Sequence, residues 1–338
     1  MTAPARTQRG VALVTAIMIV AIAAAVAAKI AFAHSLWFRQ MENVSDRGAT
    51  ALLRRGALHW ASVALLEDAA QNSIDHLGEP WAQGLPVLPV EGGAIKVSIE
   101  DAQGRFNLNN LVQNNQPSAA DVAIFQRLLA QLKLDPFLAN AVIDWIDADS
   151  NVTSPGGAED IDYLNLKTPY RTANQPFTSV EELRLVKGFD AKTVLMLLPF
   201  VTVLPAGSRT AINVNTAPPE VLAALANRDL AWAQRETEQR DANPFRNAGD
   251  FTKLLQVPGA APVQTGLADV KTDYFLITLE TSIGRHQART VALMQRTGGA
   301  TNWIWFKPVP LIDAPPPGAQ SLSGSQAANA ADESTDLR

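Results

Sequence analysis

The densest run of carboxylates in the chain is Asp144, Asp147, Asp149, Glu159, Asp160 and Asp162. Oxygen ligands at such spacing suit a hard cation such as Ca²⁺. Asp147, Asp149 and Asn151 match the first three ligand positions of an EF-hand loop. The match stops there, because Val152 stands where the turn glycine belongs and Ala158 where the closing glutamate belongs, with Glu159 one residue late. The segment is therefore not an EF-hand. A turn at Gly156-Gly157 can still bring Glu159, Asp160 and Asp162 back onto Asp147 and Asp149, and these five are the candidate ligands. The alternative is a solvated acidic loop whose carboxylates cap helices. Asp144 and Asp147 are the one pair with catalytic character, a carboxylate dyad on one helix face. A calcium-dependent hydrolase built on them should lose activity on Asp144→Asn. Other enzyme signatures are missing: His34, His59, His76 and His286 are scattered, and there is no HExxH, G-x-S-x-G or glycine-rich phosphate loop. The chain reads as a non-enzyme.

The elements that must hold these carboxylates are helices. Ser118 or Asp121 caps a helix carrying Val122, Ile124, Phe125, Leu128 and Leu129. Asp135-Pro136 opens the next, with Leu138, Val142, Ile143 and Trp145 as its apolar face, and Asp147 follows its end. A third spans Ser179 to Leu185, and Gly188 with Asp190 turns the chain into a fourth from Lys192 to Leu198. Within this block FNLNN at 106–110 resembles INVNT at 212–216, and Pro176-Phe177 resembles Pro244-Phe245, as in two related helical units. Short helices closing on LRLVKG or LLQVPG also resemble helix-hairpin-helix modules, which hold DNA phosphates on a glycine turn with basic neighbours. Only Lys187 supplies such a neighbour.

Strands flank the helical block. Residues 77–94 are dense in Gly and Pro and read as a loop. Ile95, Val97 and Ile99 then alternate with polar residues, Asp101 to Gly104 supplies a turn, and Arg105 to Asn109 is expected to return as the second strand of a hairpin. Beyond Ala260, residues 275–283, 290–294 and 303–306 alternate across turns at Gly284-Arg285 and Gly298-Gly299, an antiparallel meander continuing the same sheet. The final stretch, 310–338, has the composition of a disordered tail.

At 338 residues and 47% apolar content, one large or two ordinary domains are accommodated. The net charge of -5 argues against a basic nucleic-acid face. Without cysteine there is no disulfide framework and no thiolate chemistry. From Val11 to Ala28 the chain carries no charge, long enough as a helix to cross most of a ~30 Å hydrocarbon core. Arg6 and Arg9 precede this run, so the positive-inside rule keeps the first residues in the cytoplasm and sends the rest across. A cleavable secretory peptide and a plain signal anchor share part of this pattern. Past Lys29 the helical period persists through Trp37, Met41, Val44, Gly48 and Leu52, so one helix can run from Val11 to about Ala70.

A short polar leader ending in Gly10, followed without a spacer by an apolar helix that continues as an amphipathic one, resembles a class III prepilin leader. The resemblance implies that a prepilin peptidase cuts after Gly10 and methylates Val11. Most pilin-like proteins carry Glu at the fifth mature position, where this chain has Thr15. That absence, together with EDAQGRFNLNNL at 100–111, VIDWIDADSN at 142–151 and GAEDIDY at 157–163, resembles the K-type minor pseudopilin (GspK) family of type II secretion. The family implies an α+β pseudopilin fold with calcium in the helical domain. Its expected domains are a leader at 1–10, an N-terminal helix at 11–70 (transmembrane over 11–33), a pilin-like body at 71–110 and 265–309, and a helical insert at 111–264. It further implies a place at the tip of the pseudopilus, I- and J-type minor pseudopilins as partners, and an inner-membrane anchor with a periplasmic head. A membrane-anchored periplasmic DNA-uptake or adhesion module is the competing reading.

Overall fold

The computed structural model describes residues 8–255 and 266–309. The first residues of the expected leader, the end of the expected insert and the expected tail at 310–338 lie outside them.

Helix α1 (Gln8–Gln71) is continuous over 64 residues, ~95 Å at the α-helical rise. Its lower half has no cover: Phe32, Trp37, Phe38 and Met41 are all at least 66% exposed. The upper half lies on the sheet through Leu58, Ala61 and Leu65. Burying each leucine there contributes roughly 1.5–3 kcal/mol.

After α1 come β1 (Leu88–Val90), β2 (Gly93–Asp101), β3 (Phe106–Asn107), β4 (Val112–Gln113) and β5 (Gln116–Pro117). Helices α2 (Ala119–Gln131), α3 (Leu138–Ile146), α4 (Asp160–Leu164) and α5 (Ala191–Leu197) follow, then β6 (Val201–Thr202) and β7 (Ile212–Asn213). The chain continues through α6 (Pro219–Ala226), α7 (Leu230–Ala242), α8 (Ala248–Leu255), β8 (Ala268–Asp269), β9 (Tyr274–Ile283), β10 (His286–Thr297) and β11 (Ala300–Val309).

The main sheet has the order β1-β2-β9-β10-β11, antiparallel throughout, so the expected meander does extend the first sheet strand. Two expectations fail around β2. The loop at 77–94 contains β1, which reaches β2 through a tight turn at Glu91-Gly92, with Gly92 at φ 76°. With β1 and β9 on either side of β2, no edge is left for Arg105–Asn109 to return as a hairpin. Phe106 instead leaves the sheet, stacks on Phe125 with centroids 5.3 Å apart, and places β3 parallel to β6.

The helical core therefore begins at Phe106 and runs to Val270, wider at both ends than 111–264. Two units build it. In the first, β3 and β6 pair in parallel; in the second, β7 and β8 do so. Asn109 donates to the Phe177 carbonyl (3.0 Å) and accepts from the Phe177 N–H (2.8 Å). Asn215 makes the same two bonds to Phe245, at 3.0 and 2.9 Å. The sequence echo is thus a structural repeat: each asparagine clamps the backbone of its own Pro-Phe pair.

Sheet, α1 and helical block meet at Arg296 on β10. Its guanidinium donates to Asp68 (3.1 Å), to Asp75, and to the carbonyls of Leu65 (2.9 Å) and Thr272 (3.3 Å), and lies over the Phe275 ring. Burial, then the neighbouring Glu79 charge, pushes the Asp68 carboxyl up to about 6 despite the arginine. Nearby, buried Asp101 accepts from Asn213 (2.7 Å) and Thr216 (2.6 Å), joining β2 to the second unit. Removing one partner of a buried ion pair costs about 3–5 kcal/mol. Arg296→Met is expected to lower the unfolding free energy of the detergent-solubilised protein by that order at pH 8. The loss should shrink at pH 5, where the stranded Asp68 protonates. Urea unfolding followed by tryptophan fluorescence checks both, and an unchanged midpoint at pH 8 contradicts the junction.

Candidate functional site

The acidic segment folds around the end of α3. Asp147 is the residue that closes the helix, its N–H donating to the Ile143 carbonyl at 2.9 Å. Asp144, wholly buried one turn earlier, accepts from the Thr153 N–H at 3.1 and 3.2 Å. This folds residues 150–157 back on the helix. Gly157 is required at the fold, since a Cβ there would overlap the Asp144 carboxylate and the Thr153 backbone. The chain then delivers Glu159 opposite Asp147 and Asp149. One oxygen from each of these three lies within 4.8 Å of the others, Asp147 and Glu159 buried and Asp149 exposed.

The geometry separates the five expected ligands. Asp147, Asp149 and Glu159 converge. Asp160 is drawn away, accepting from Arg171 (2.7 Å) and from the N–H and hydroxyl of Thr172 (3.1 and 2.9 Å). Asp162 pairs with Lys187 (2.9 Å) and accepts from the Glu159 N–H (3.2 Å). Hydrogen bonding by Thr172 holds the Asp160 carboxyl below its usual range, and Lys187 does the same for Asp162. The converging set is the reverse. Burial and then the charges of Asp149 and Asp144 push Asp147 up to about 6; burial and then Asp144, Asp147 and Asp149 push Glu159 up to about 7. Asp147 Oδ1 and both Glu159 oxygens are buried without a hydrogen-bond partner among the described residues.

A buried, unpartnered carboxylate is costly. Three converging carboxylates, two of them buried with orphaned oxygens, are what a hard divalent cation neutralises, and the all-oxygen donor set favours Ca²⁺ over Zn²⁺. The residues present therefore fit the ion. A second acidic group, Asp68, Asp75 and Glu79, does not. Arg296 already supplies its cation, and Glu79 accepts from Asn72 (2.7 Å), Trp81 (2.7 Å) and the His76 N–H (3.1 Å). Sequence reading overlooked Arg296 entirely, and it left Asp144, which organises the loop, outside the ligand set. Lys187, the one basic neighbour of the turn that resembles a helix-hairpin-helix, is paired with Asp162.

Comparison with known proteins follows the same architecture. Two family models, both described as type II secretion system (T2SS), protein K, match residues 104–206 and 212–271, which are the two repeat units. The type II secretion system protein K of Pseudomonas aeruginosa is 36% identical over 304 residues, covering 86% of this chain and 90% of that protein. The chain belongs to the type II secretion system protein K family. The Klebsiella pneumoniae member is 32% identical, over 86% of this chain and 93% of the relative. Among solved structures, the crystal structure of the GspK-GspI-GspJ complex from the enterotoxigenic Escherichia coli type 2 secretion system matches with a TM-score of 0.70 and 27% identity. That match covers 80% of this chain and 99% of the other. Protein K is a minor pseudopilin, a structural subunit and not an enzyme, and α1 is its single-pass membrane anchor.

The raised carboxylates set a pH dependence for the ion-free protein. The folded state holds protons on Glu159 and Asp147 up to about 7 and 6, where the unfolded chain has released them near 4.5 and 3.8. Protonation therefore favours the fold, and stability is lost as pH rises through 6 to 7. In chelator the melting temperature is expected to climb from pH 8 to pH 5.5, with a shallower climb in Glu159→Gln. Equal slopes in the two proteins contradict the assignment.

Proposed function

We propose that this protein K caps the tip of the type II secretion pseudopilus, assembled with I- and J-type minor pseudopilins, and serves export across the outer membrane from an inner-membrane anchor. The observation that carries this reading is the likeness of the head, 99% of the other chain, to a subunit solved with two such partners. The exposed apolar lower half of α1 supplies the surface along which pilin-like helices bundle. A head enlarged by the helical block is too bulky to repeat along a filament, which favours a terminal position. Thr15 agrees: its hydroxyl is satisfied by the carbonyls of Val11 and Ala12, both at 3.0 Å, so it asks nothing of a subunit above.

In this reading the prepilin peptidase cuts between Gly10 and Val11, the N-terminus is cytoplasmic and the head periplasmic. Arg6 and Arg9 before the apolar run support the orientation. Calcium sits between Asp147, Asp149 and Glu159, tying the end of α3 to the start of α4 and so stiffening the first repeat. The orphaned oxygens of Asp147 and Glu159 support the ion.

Co-expression with the cognate I- and J-type subunits followed by detergent extraction tests the assembly. A ternary complex retaining all three is expected, and protein K eluting alone contradicts it. Calcium is tested by melting: saturating Ca²⁺ should raise the melting temperature by several degrees, as a ligand bound at ~100 times its Kd stabilises by ~2.7 kcal/mol. Glu159→Gln should abolish the shift while Asp162→Asn keeps it. A shift that survives Glu159→Gln and disappears in Asp162→Asn would reverse the ligand assignment.

A further inference from the structure

With the two repeats matched at their clamping asparagines, Asn109 and Asn215, the first carries two additions. Phe106 to Leu111 corresponds to Ile212 to Ala217, and Pro117 to Pro218. Between those points the second repeat has nothing, whereas the first carries Val112 to Gln116, the β4–β5 hairpin. The acidic loop between α3 and Pro176 is likewise confined to the first repeat, since α7 in the second runs to Ala242, directly before Asn243-Pro244. The two additions touch. Asn115 Oδ1 accepts the Ala148 N–H at 2.8 Å, across 33 positions of sequence.

Ala148 lies between the first two ligands, so its peptide sets the direction in which Asp147 and Asp149 project. The flanking groups are tied locally: the Asp147 N–H to Ile143 at 2.9 Å and the Asn151 N–H to Asp149 Oδ1 at 2.8 Å. Asn115 is the contact that reaches this peptide from another element. Its own placement is demanding, because Asn114 and Asn115 occupy the left-handed region at φ 51° and 61°, a two-residue turn that asparagine tolerates and most side chains resist. The base of the hairpin is held by Val112 against the helical core and by Gln113 donating to the Asn109 carbonyl (3.0 Å), while residues 114–117 are exposed.

We infer that Asn115 is a positioning residue of the cation site: the β4–β5 hairpin exists in the first repeat to hold the Ala148 peptide and so fix the angle between the Asp147 and Asp149 carboxylates. The inference rests on the calcium reading above and adds to it an outer contact from a separate element. Outer-shell contacts of this kind typically contribute 10- to 100-fold to metal affinity.

The test uses the full-length protein in detergent, titrated with CaCl₂ by calorimetry. Asn115→Gly keeps the left-handed turn and deletes only the acceptor; it should weaken calcium binding about tenfold, with the ion-free melting temperature lowered by no more than the one lost hydrogen bond. Asn115→Asp restores an acceptor and should bind close to the parent, and Asn114→Gly should behave as the parent. In chelator the Ala148 amide should exchange slowly in the parent and fast in Asn115→Gly. Parent-like affinity in Asn115→Gly, or an unprotected Ala148 amide in the parent, overturns the role of Asn115 with the ion site intact. Calcium binding that survives Asp147→Asn combined with Glu159→Gln overturns the site itself, and the inference with it.

Discussion

Helix α1 reaches the head through Leu58, Ala61 and Leu65 packed on the sheet, and everything distal depends on where that helix ends. The end is fixed by the Arg296 guanidinium. It gathers Asp68 from the last turns of α1, Asp75 from the following loop and the Thr272 carbonyl from the connection between β8 and β9. Buried ion pairs contribute little net stability against a well-packed apolar alternative, but they discriminate strongly between arrangements, since any other placement strands a charge. Here the arrangement being chosen is the direction in which the helical block leaves the sheet. Asp101, bonded to Asn213 and Thr216, fixes the same junction from the other side.

The helical block then follows from repetition. Each unit brings two short strands together in parallel and locks its Pro-Phe pair with an asparagine side chain that mimics a strand partner. Among the described residues the acidic loop and the hairpin against it belong to the first unit, so the candidate chemistry of the head sits on one half of a duplicated scaffold. The cation proposed between Asp147, Asp149 and Glu159 would staple two segments of that loop without a large core of its own.

Much of this was legible in the residues. The helix starts were written in side chains that do cap: Ser118 for α2, Ser179 for Val180–Leu185, which forms a 3₁₀ helix, and Asp190 for α5. The meander followed from alternation at 275–283 and its glycine turns. The expected hairpin after Ile99 failed because alternation describes a strand without naming its neighbours, and Phe106 was claimed by Phe125 in another layer. Charge on most faces of α7 left it without an amphipathic signature. At the acidic segment, spacing found the cluster but could not divide it. Asp160 and Asp162 were withdrawn by Arg171, Thr172 and Lys187, partners whose nearness only the fold creates.

As a pilin-like subunit, this chain would enter the membrane with Val11 as its processed N-terminus and α1 ending under a capping head. The mass of the N-terminal peptide from membrane-extracted protein, made with and without its prepilin peptidase, tests this most directly. A peptide beginning at N-methylated Val11, seen only when the peptidase is present, is the predicted result. A peptide retaining Met1 to Gly10 in both cases would make α1 an ordinary signal anchor and contradict the claim.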